Sequence, residues 1–212
     1  MSSSTHVSMT EVEIRPGIRL SSAPALILDP LRTVVIADVH WGYAASQRAA
    51  GRLVPLWGDE DLESRIRTTV ESYAAQTLII AGDIVHTSVG AQRAQFLLEH
   101  LGRELRVVLV SGNHDARSPL RCVPFFAEGD LFVHHGNVDL PVPSHALEII
   151  GHQHPAGTWH DGAGTWLKLP ALIEGRRRLI LPAFSPWAAG VPWNHRLRPD
   201  ERMWLISPRR IF

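Results

Sequence analysis

The stretch Arg106-Val107-Val108-Leu109-Val110-Ser111-Gly112-Asn113-His114-Asp115 decides how the chain is read. Its apolar run reads as a buried strand. A glycine follows, then an amide, an imidazole and a carboxylate in a row. A purely structural protein has little reason to gather those three side chains where a buried strand meets solvent. In an α/β sheet, the carboxyl end of a strand is where ligands are held. Four other strand-like runs end in the same way. Thr33 to Ala37 runs into Asp38-Val39-His40, and Thr77 to Ala81 into Gly82-Asp83. Leu131 to Val133 runs into His134-His135-Gly136, and Leu147 to Ile150 into Gly151-His152-Gln153-His154. Apolar strands delivering Asp, His and Asn to one edge describe a metal site.

The residue types indicate which metal. Asp38 and His40 are two apart at a strand end, so strand alternation puts both on one face. The same spacing joins His152 and His154. Asp83 has an oxygen for each of two ions, Asn113 adds a neutral oxygen, and His135, His152 and His154 add imidazole nitrogens. Carboxylate, amide and imidazole without thiolate suit Mn²⁺, Fe or Zn²⁺ better than a sulfur-dominated structural zinc site. Two ions roughly 3.5–4 Å apart would hold a hydroxide and clamp the oxygens of an in-line displacement at phosphorus. Taken singly, each residue has an ordinary reading: an Asp at a strand end forms turns, and a His on an apolar strand is a satisfied core residue. All of them together, each at the end of an apolar run, do not.

Around this centre the chain is ordinary. Its 212 residues, 45% hydrophobic, suffice for one substantial core. Formal net charge is zero and the sequence pI is about 7.2, so no overall basic field advertises nucleic-acid binding. Lys168 is the only lysine; the other basic residues are arginines. The single cysteine, Cys122, excludes an internal disulfide and fits a reducing compartment, where it reads as a small buried hydrophobe. Met1 to Thr10 is polar, Ser/Thr-rich and expected to be disordered, without the pattern of a signal peptide. No apolar run approaches the roughly 20 residues that span a bilayer. These features predict a soluble cytoplasmic protein without a membrane partner, folded as a single domain over residues 11–212.

In chain order, Ile18 to Leu20 and Ala25 to Leu28 read as a hairpin or meander. Trp41 to Pro55 reads as a loop or short helix passing over the site. Asp59 to Gln76 is helical, with Leu62, Ile66, Val70 and Tyr73 at three- to four-residue intervals and acidic residues at its start. Ala91 to Leu101 is a second helix, ending at Gly102. Strand–helix alternation up to His114 predicts parallel pairing. Beyond it, helical periodicity disappears and a second, more antiparallel sheet is expected.

The set Asp38-x-His40, Gly82-Asp83, Gly112-Asn113-His114-Asp115, His135-Gly136 and Gly151-His-x-His154 resembles, in the same order, the motifs of the calcineurin-like metallophosphoesterases. The resemblance implies the metallo-dependent phosphatase fold, an α/β protein built as a four-layer α/β/β/α sandwich of two mixed sheets with the site at one edge. It implies Asp38, His40, Asp83 and His154 at one divalent ion, and Asp83, Asn113, His135 and His152 at another. It also implies His114, paired with Asp115, as the general acid. Of the adjacent His134 and His135, only one can face the site; the residue before Gly136 matches the motif, so His135 is expected to be the ligand.

Within that superfamily the chain is similar to the branch of ligase-associated DNA damage response endonucleases and archaeal ICC-like phosphoesterases. The residues are Ala37-Asp38-Val39-His40-x-Gly42, Arg48, Gly51, Pro55, Gly151-His-Gln-His-Pro155 and Leu181-Pro182-Ala183-Phe184. This implies Mn²⁺-dependent phosphodiester hydrolysis of nucleic acid or nucleotides, with DNA as a candidate substrate and a link to DNA repair beside a DNA ligase or helicase. The alternatives are a phosphomonoesterase or pyrophosphatase of small metabolites, and a non-catalytic interaction scaffold on the same fold. Several residues carry weaker expectations. Arg48 and His86 are candidate substrate contacts. Arg176-Arg177-Arg178 reads as a solvated turn. Trp41, Trp187 and Trp193 are expected as buried loop anchors, and Phe125 and Phe126 as core. Asn194 and His195 are read as bordering the pocket.

Overall fold

The computed structural model describes residues 9–54, 58–160 and 162–212. Most of Met1 to Thr10, and Pro55, lie outside the described residues.

The first sheet has the order β1 (Glu11–Arg15), β2 (Ile18–Ser21), β3 (Ala25–Leu28), β4 (Thr33–Ile36), β5 (Thr77–Ala81), β6 (Arg106–Val110). The expected hairpin is β2–β3, and β1 extends it at the edge with Val12 and Ile14 turned inward between Glu11, Glu13 and Arg15. β4, β5 and β6 are parallel, as strand–helix alternation requires. Between them lie α1 (Tyr43–Ala49), α2 (Gly58–Ser72) and α3 (Ser88–Leu101). α2 stops short of the expected Gln76 because Ala74 takes a left-handed φ of 43° and the N–H of Ala75 closes on the Val70 carbonyl.

Alternation along β4 and β5 builds two cores. Val34, Ile36, Leu78 and Ile80 face the helices and pack with Leu62, Ile66, Ala94 and Leu97. Val35, Ala37, Ile79 and Ala81 face the other way and pack with Val133, Ile149, Leu172 and Leu179 of a second sheet.

The second sheet contains β7 (Phe126–Glu128), β8 (Leu131–His134), β9 (Leu147–Ile150), β10 (Pro155–His160), β11 (Trp166–Glu174), β12 (Arg178–Ile180) and β13 (Val191–Pro192). Their order is β13-β10-β11-β12-β9-β8-β7, and β14 (Arg202–Ser207) and β15 (Arg210–Ile211) attach through β11. This sheet is mixed: β8, β9 and β12 are parallel, whereas β11 runs antiparallel to β10, β12 and β14.

The architecture is the expected one of two mixed sheets face to face, with helices on the first. Over the second sheet the outer layer is thin. No α-helix follows Leu101 among the described residues; instead Trp193 packs on Ile150, Ile173, Ile180 and Leu205. No helix among the described residues is long and apolar enough to cross a membrane. Phe126 is core, but Phe125 is 42% exposed and only stacks on Phe132. Cys122 packs half-buried against the helix-side core, and burial pushes its thiol up to about 11.

Candidate metal centre

The carboxyl ends of β4, β5, β6, β8 and β9 meet at one edge of the sandwich. The loop after β4 does not continue as a strand. It tracks the loop after β5 through the N–H of Asp38 to Gly82 O (3.1 Å), of His40 to Asp83 O (2.9 Å) and of Trp41 to Ile84 O (2.9 Å). Asp38, His40, Asp83, His152 and His154 all hold left-handed backbone, with φ between 43° and 66°. Strand alternation is therefore not what puts Asp38 beside His40, or His152 beside His154; consecutive kinks are. Each such residue costs on the order of 1–3 kcal/mol, and strain of this kind concentrates at functional sites.

Two glycines make room beneath the side chains. A Cβ at Gly82 would fall 2.2 Å from His135 Nδ1, and one at Gly112 would fall 2.2 Å from Asp83 Oδ1. The glycines of the Gly-Asp and Gly-Asn-His-Asp motifs thus let loops stack at backbone distance under the carboxylate.

Two groups of side chains form, each with ligand atoms within 4.8 Å of one another: Asp38/His40/His154 and Asp83/His135/His152. In the first, His154 Nε2 is 3.0 Å from Asp38 Oδ1 and 3.4 Å from His40 Nε2. In the second, His135 Nε2 lies 3.1 Å from Asn113 Oδ1, 3.4 Å from Asp83 Oδ2 and 3.2 Å from His152 Nδ1. Facing imidazole nitrogens beside buried carboxylates form a donor set that one divalent cation per group would satisfy.

Electrostatics divide the groups. Burial pushes His40 down to about 4, so its imidazole is neutral. Burial opposes ionisation of Asp83, but His135 and the backbone N–H of His114 outweigh it and hold this carboxyl at about 2. Burial likewise disfavours charged His135, yet Asp83 and Asp38 prevail and hold it above the ordinary imidazole value.

His134 points away from this edge, as alternation along β8 demands. Its Nε2 meets Glu148 at 2.8 Å, and Glu148 also pairs with Arg178. Asp115 is not the partner of His114. Its buried carboxylate accepts the N–H groups of Gly112 (2.8 Å), Ile84 (3.0 Å) and Val85 (3.1 Å), clamping the loop after β6 to the loop after β5. The carboxylate nearest His114 is Asp83, 3.9 Å from its Nε2. His114 stacks on His86 at 5.1 Å and stands edge-on to His40 at 5.3 Å; these imidazoles make a third group with ligand atoms within 4.8 Å. Arg48 lies in the last turn of α1.

Further neighbours complete the surroundings of the site. Tyr43 packs edge-on against His86 at 4.9 Å, three residues after His40. The late Leu181-Pro-Ala-Phe segment reaches the site through its backbone, with the N–H of Phe184 on Ala37 O (2.8 Å) and of Ser185 on Asp38 O (3.2 Å). Of the tryptophans, Trp41 and Trp193 are buried and Trp187 is half-buried. Asn194 is spent on the backbone of Thr158 and His195 is exposed, so the expected border role falls away. Arg176 and Arg177 occupy the exposed turn between β11 and β12, as read.

The model of the calcineurin-like phosphoesterases matches residues 31–204, a span that contains every one of these loops. The chain belongs to that family. A nuclease MPE from Pseudomonas putida superposes on this phosphoesterase with a TM-score of 0.72 at 22% identity, over 96% of this chain and 98% of that one. At that identity the likeness concerns the fold. A Vps29 single mutant from Entamoeba histolytica matches at a TM-score of 0.39 and 17% identity, over 84% and 88% of the two chains, too distantly to carry an argument. No curated protein matches the chain.

Proposed function

We infer that the chain is a hydrolase of phosphodiesters in nucleic acid, with DNA as the polymer, working with two divalent cations, Mn²⁺ in the first instance. The observation that carries the reading is the pair of ligand groups that adjoin at one sheet edge. Asp38, His40, Asp83 and His154 would hold one ion, and Asp83, Asn113, His135 and His152 the other. Bound cations supply Lewis acidity at phosphorus and a nucleophilic water at neutral pH.

The chain's own residues do the rest. Asp83 keeps its charge because His135 and the His114 N–H stabilise it. His40 stays neutral and keeps a lone pair for a ligand. His114, with a side chain 37% exposed at the rim, is placed to protonate the departing oxygen. His86, stacked on it, is placed for a phosphoryl oxygen. Asp115 holds the His114 loop in position instead of touching the reacting atoms. That the P. putida neighbour is called a nuclease supports reading the substrate of this chain as a diester. The same reading assigns the work to DNA repair in the cytoplasm beside a ligase or helicase.

The test is hydrolysis of bis-p-nitrophenyl phosphate beside p-nitrophenyl phosphate, in Mn²⁺ and after chelation. Metal-dependent diester cleavage exceeding monoester cleavage is expected. Monoester preference would hand the site to small phosphate metabolites, and no turnover of either ester by metal-loaded protein would turn the reading toward a scaffold.

A further inference from the structure

α2 carries an arginine that the fold leaves without an anion. The guanidinium of Arg65 lies 4.6 Å over the ring of Phe184, and among the described residues no carboxylate lies within ion-pair distance and no acceptor bonds it. Burial lowers its affinity for a proton, and only the more distant charge of Asp61 opposes that. A guanidinium taken partly out of water is ordinarily paired, because its desolvation is otherwise uncompensated. Stacked on Phe184, it keeps its in-plane N–H fork available, the geometry that grips a phosphate.

Arg65 lines a groove of about 520 Å³ with largely apolar walls, among them Pro24, Pro170, Phe184 and Ile206, and Asp61, one turn earlier on α2, lines it too. Leu169, Pro170, Ala183 and Pro186 wall both this groove and a cavity of about 200 Å³ that reaches His154 and Lys168. The floor of the groove is joined to the first ligand loop through the N–H of Phe184 and of Ser185. The two cavities thus share walls, one beside a candidate metal ligand and the chain's only lysine, the other beside Arg65.

We propose that Arg65 and the groove beside Phe184 form a subsite for a nucleotide flanking the scissile phosphodiester of a single strand, its phosphate on the Arg65 fork and its base against the exposed Pro170 and Pro186. This rests on the phosphodiesterase reading and names where the polymer runs. The base contact is a face of apolar side chains and needs no sequence preference.

The experiment compares wild type, Arg65→Gln and Arg65→Lys in the full chain. Anisotropy of a labelled single-stranded oligonucleotide, over a series of salt concentrations, reads the groove; Mn²⁺-dependent cleavage of bis-p-nitrophenyl phosphate, which has no flanking nucleotide, reads the metal centre. Arg65→Gln should weaken oligonucleotide binding about tenfold and reduce the slope of log affinity against log salt by about 0.7, the value for one phosphate contact on a single strand. Cleavage of the small diester should stay unchanged. Arg65→Lys should restore the salt slope but only part of the affinity, since it brings charge without a fork. Unchanged binding and slope in Arg65→Gln would overturn the subsite, as would equal losses on both substrates, which mean a structural role. A wild type that cleaves the small diester but does not bind the strand also overturns it and spares the phosphodiesterase reading. Arg65-dependent binding without cleavage of the small diester overturns that reading and keeps the groove.

Discussion

The two halves of the candidate metal centre are built from the same residue types yet differ in how readily each would take a metal. In Asp38/His40/His154 the buried imidazole of His40 is driven to about 4 and is neutral whenever the protein is folded at ordinary pH. In Asp83/His135/His152 the imidazole of His135 sits between Asp83 and Asp38, which raise its affinity for a proton. At His40 the lone pair is free for a cation, and at His135 a proton competes for it more strongly. Loop geometry produces the contrast. His40 follows a kinked stretch in which its Nδ1 is buried without a partner, while the Nδ1 of His135 is anchored 3.1 Å from Ala81 O and its Nε2 is left among acceptors. Both imidazoles face Asp38 and Asp83; burial prevails at His40, whereas at His135 the side-chain bond to Asp83 and the two carboxylates together outweigh it.

The harshest way to break the comparison is to remove the carboxylate that serves both halves. Asp83→Ala should lower turnover of bis-p-nitrophenyl phosphate by about 10³-fold or more and cost both ions, as counted by elemental analysis. If one ion stays bound, the halves are independent and Asp83 belongs to one of them. His114→Ala comes next. It should keep the metals and lose about 10²–10⁴-fold in turnover of unactivated diesters, with a much smaller loss on p-nitrophenyl leaving groups, which need no proton. Equal losses on activated and unactivated esters would remove the general-acid role.

The sequence makes the centre legible for a simple reason: apolar runs advertise buried strands, and polar residues at their ends have one edge to occupy. Asp38, His40, Asp83, Asn113, His135, His152 and His154 all lie where that reasoning sends them. The route was misread. Alternation puts residues two apart on one face, yet left-handed kinks at Asp38, His40, His152 and His154 do the work. No glycine stands at those positions to announce them. Pairings that span loops are equally hidden: Asp115 looks like the partner of the adjacent His114, but backbone N–H groups 30 and 31 residues earlier claim it. Nothing in the helical pattern sets Arg65 apart; only the fold, which brings Phe184 beneath it, does. The missing helix over the second sheet was half-visible, since Pro and Gly break every period after His114.

Lowering the pH should separate the two halves. Metal binding needs neutral imidazole, so a raised pKa makes the proton a competitor earlier as pH falls, and a lowered one delays it. His135 is raised, so proton competition in its half should set in first, from somewhat above the ordinary imidazole value near 6.5; His40, lowered to about 4, adds no such competition in that range. Asp83, at about 2, stays charged throughout and contributes no step. Mn²⁺ titrated by calorimetry at pH 7.5 and at pH 6 should go from two sites to one strong site. Parallel loss of both would mean that the ions bind as a unit.

The smallest effect belongs to the pair His134 and His135, neighbours in sequence that lie on opposite faces of β8. His135→Ala should cost an ion. His134→Ala should cost none, because its Nε2 is committed to Glu148 on the far side of the sheet. Its loss leaves Glu148 with Arg178 as a partner, so the carboxylate is not stranded. The penalty is then that of one charge-assisted hydrogen bond and some packing on Phe132, about 1–3 kcal/mol, and not the larger cost of orphaning a buried charge. Thermal unfolding should show the shift while metal content and kcat on the small diester hold. A fall in metal content in His134→Ala would mean that the outer face of β8 positions the inner one, and that the two sides of this strand are coupled through the backbone they share.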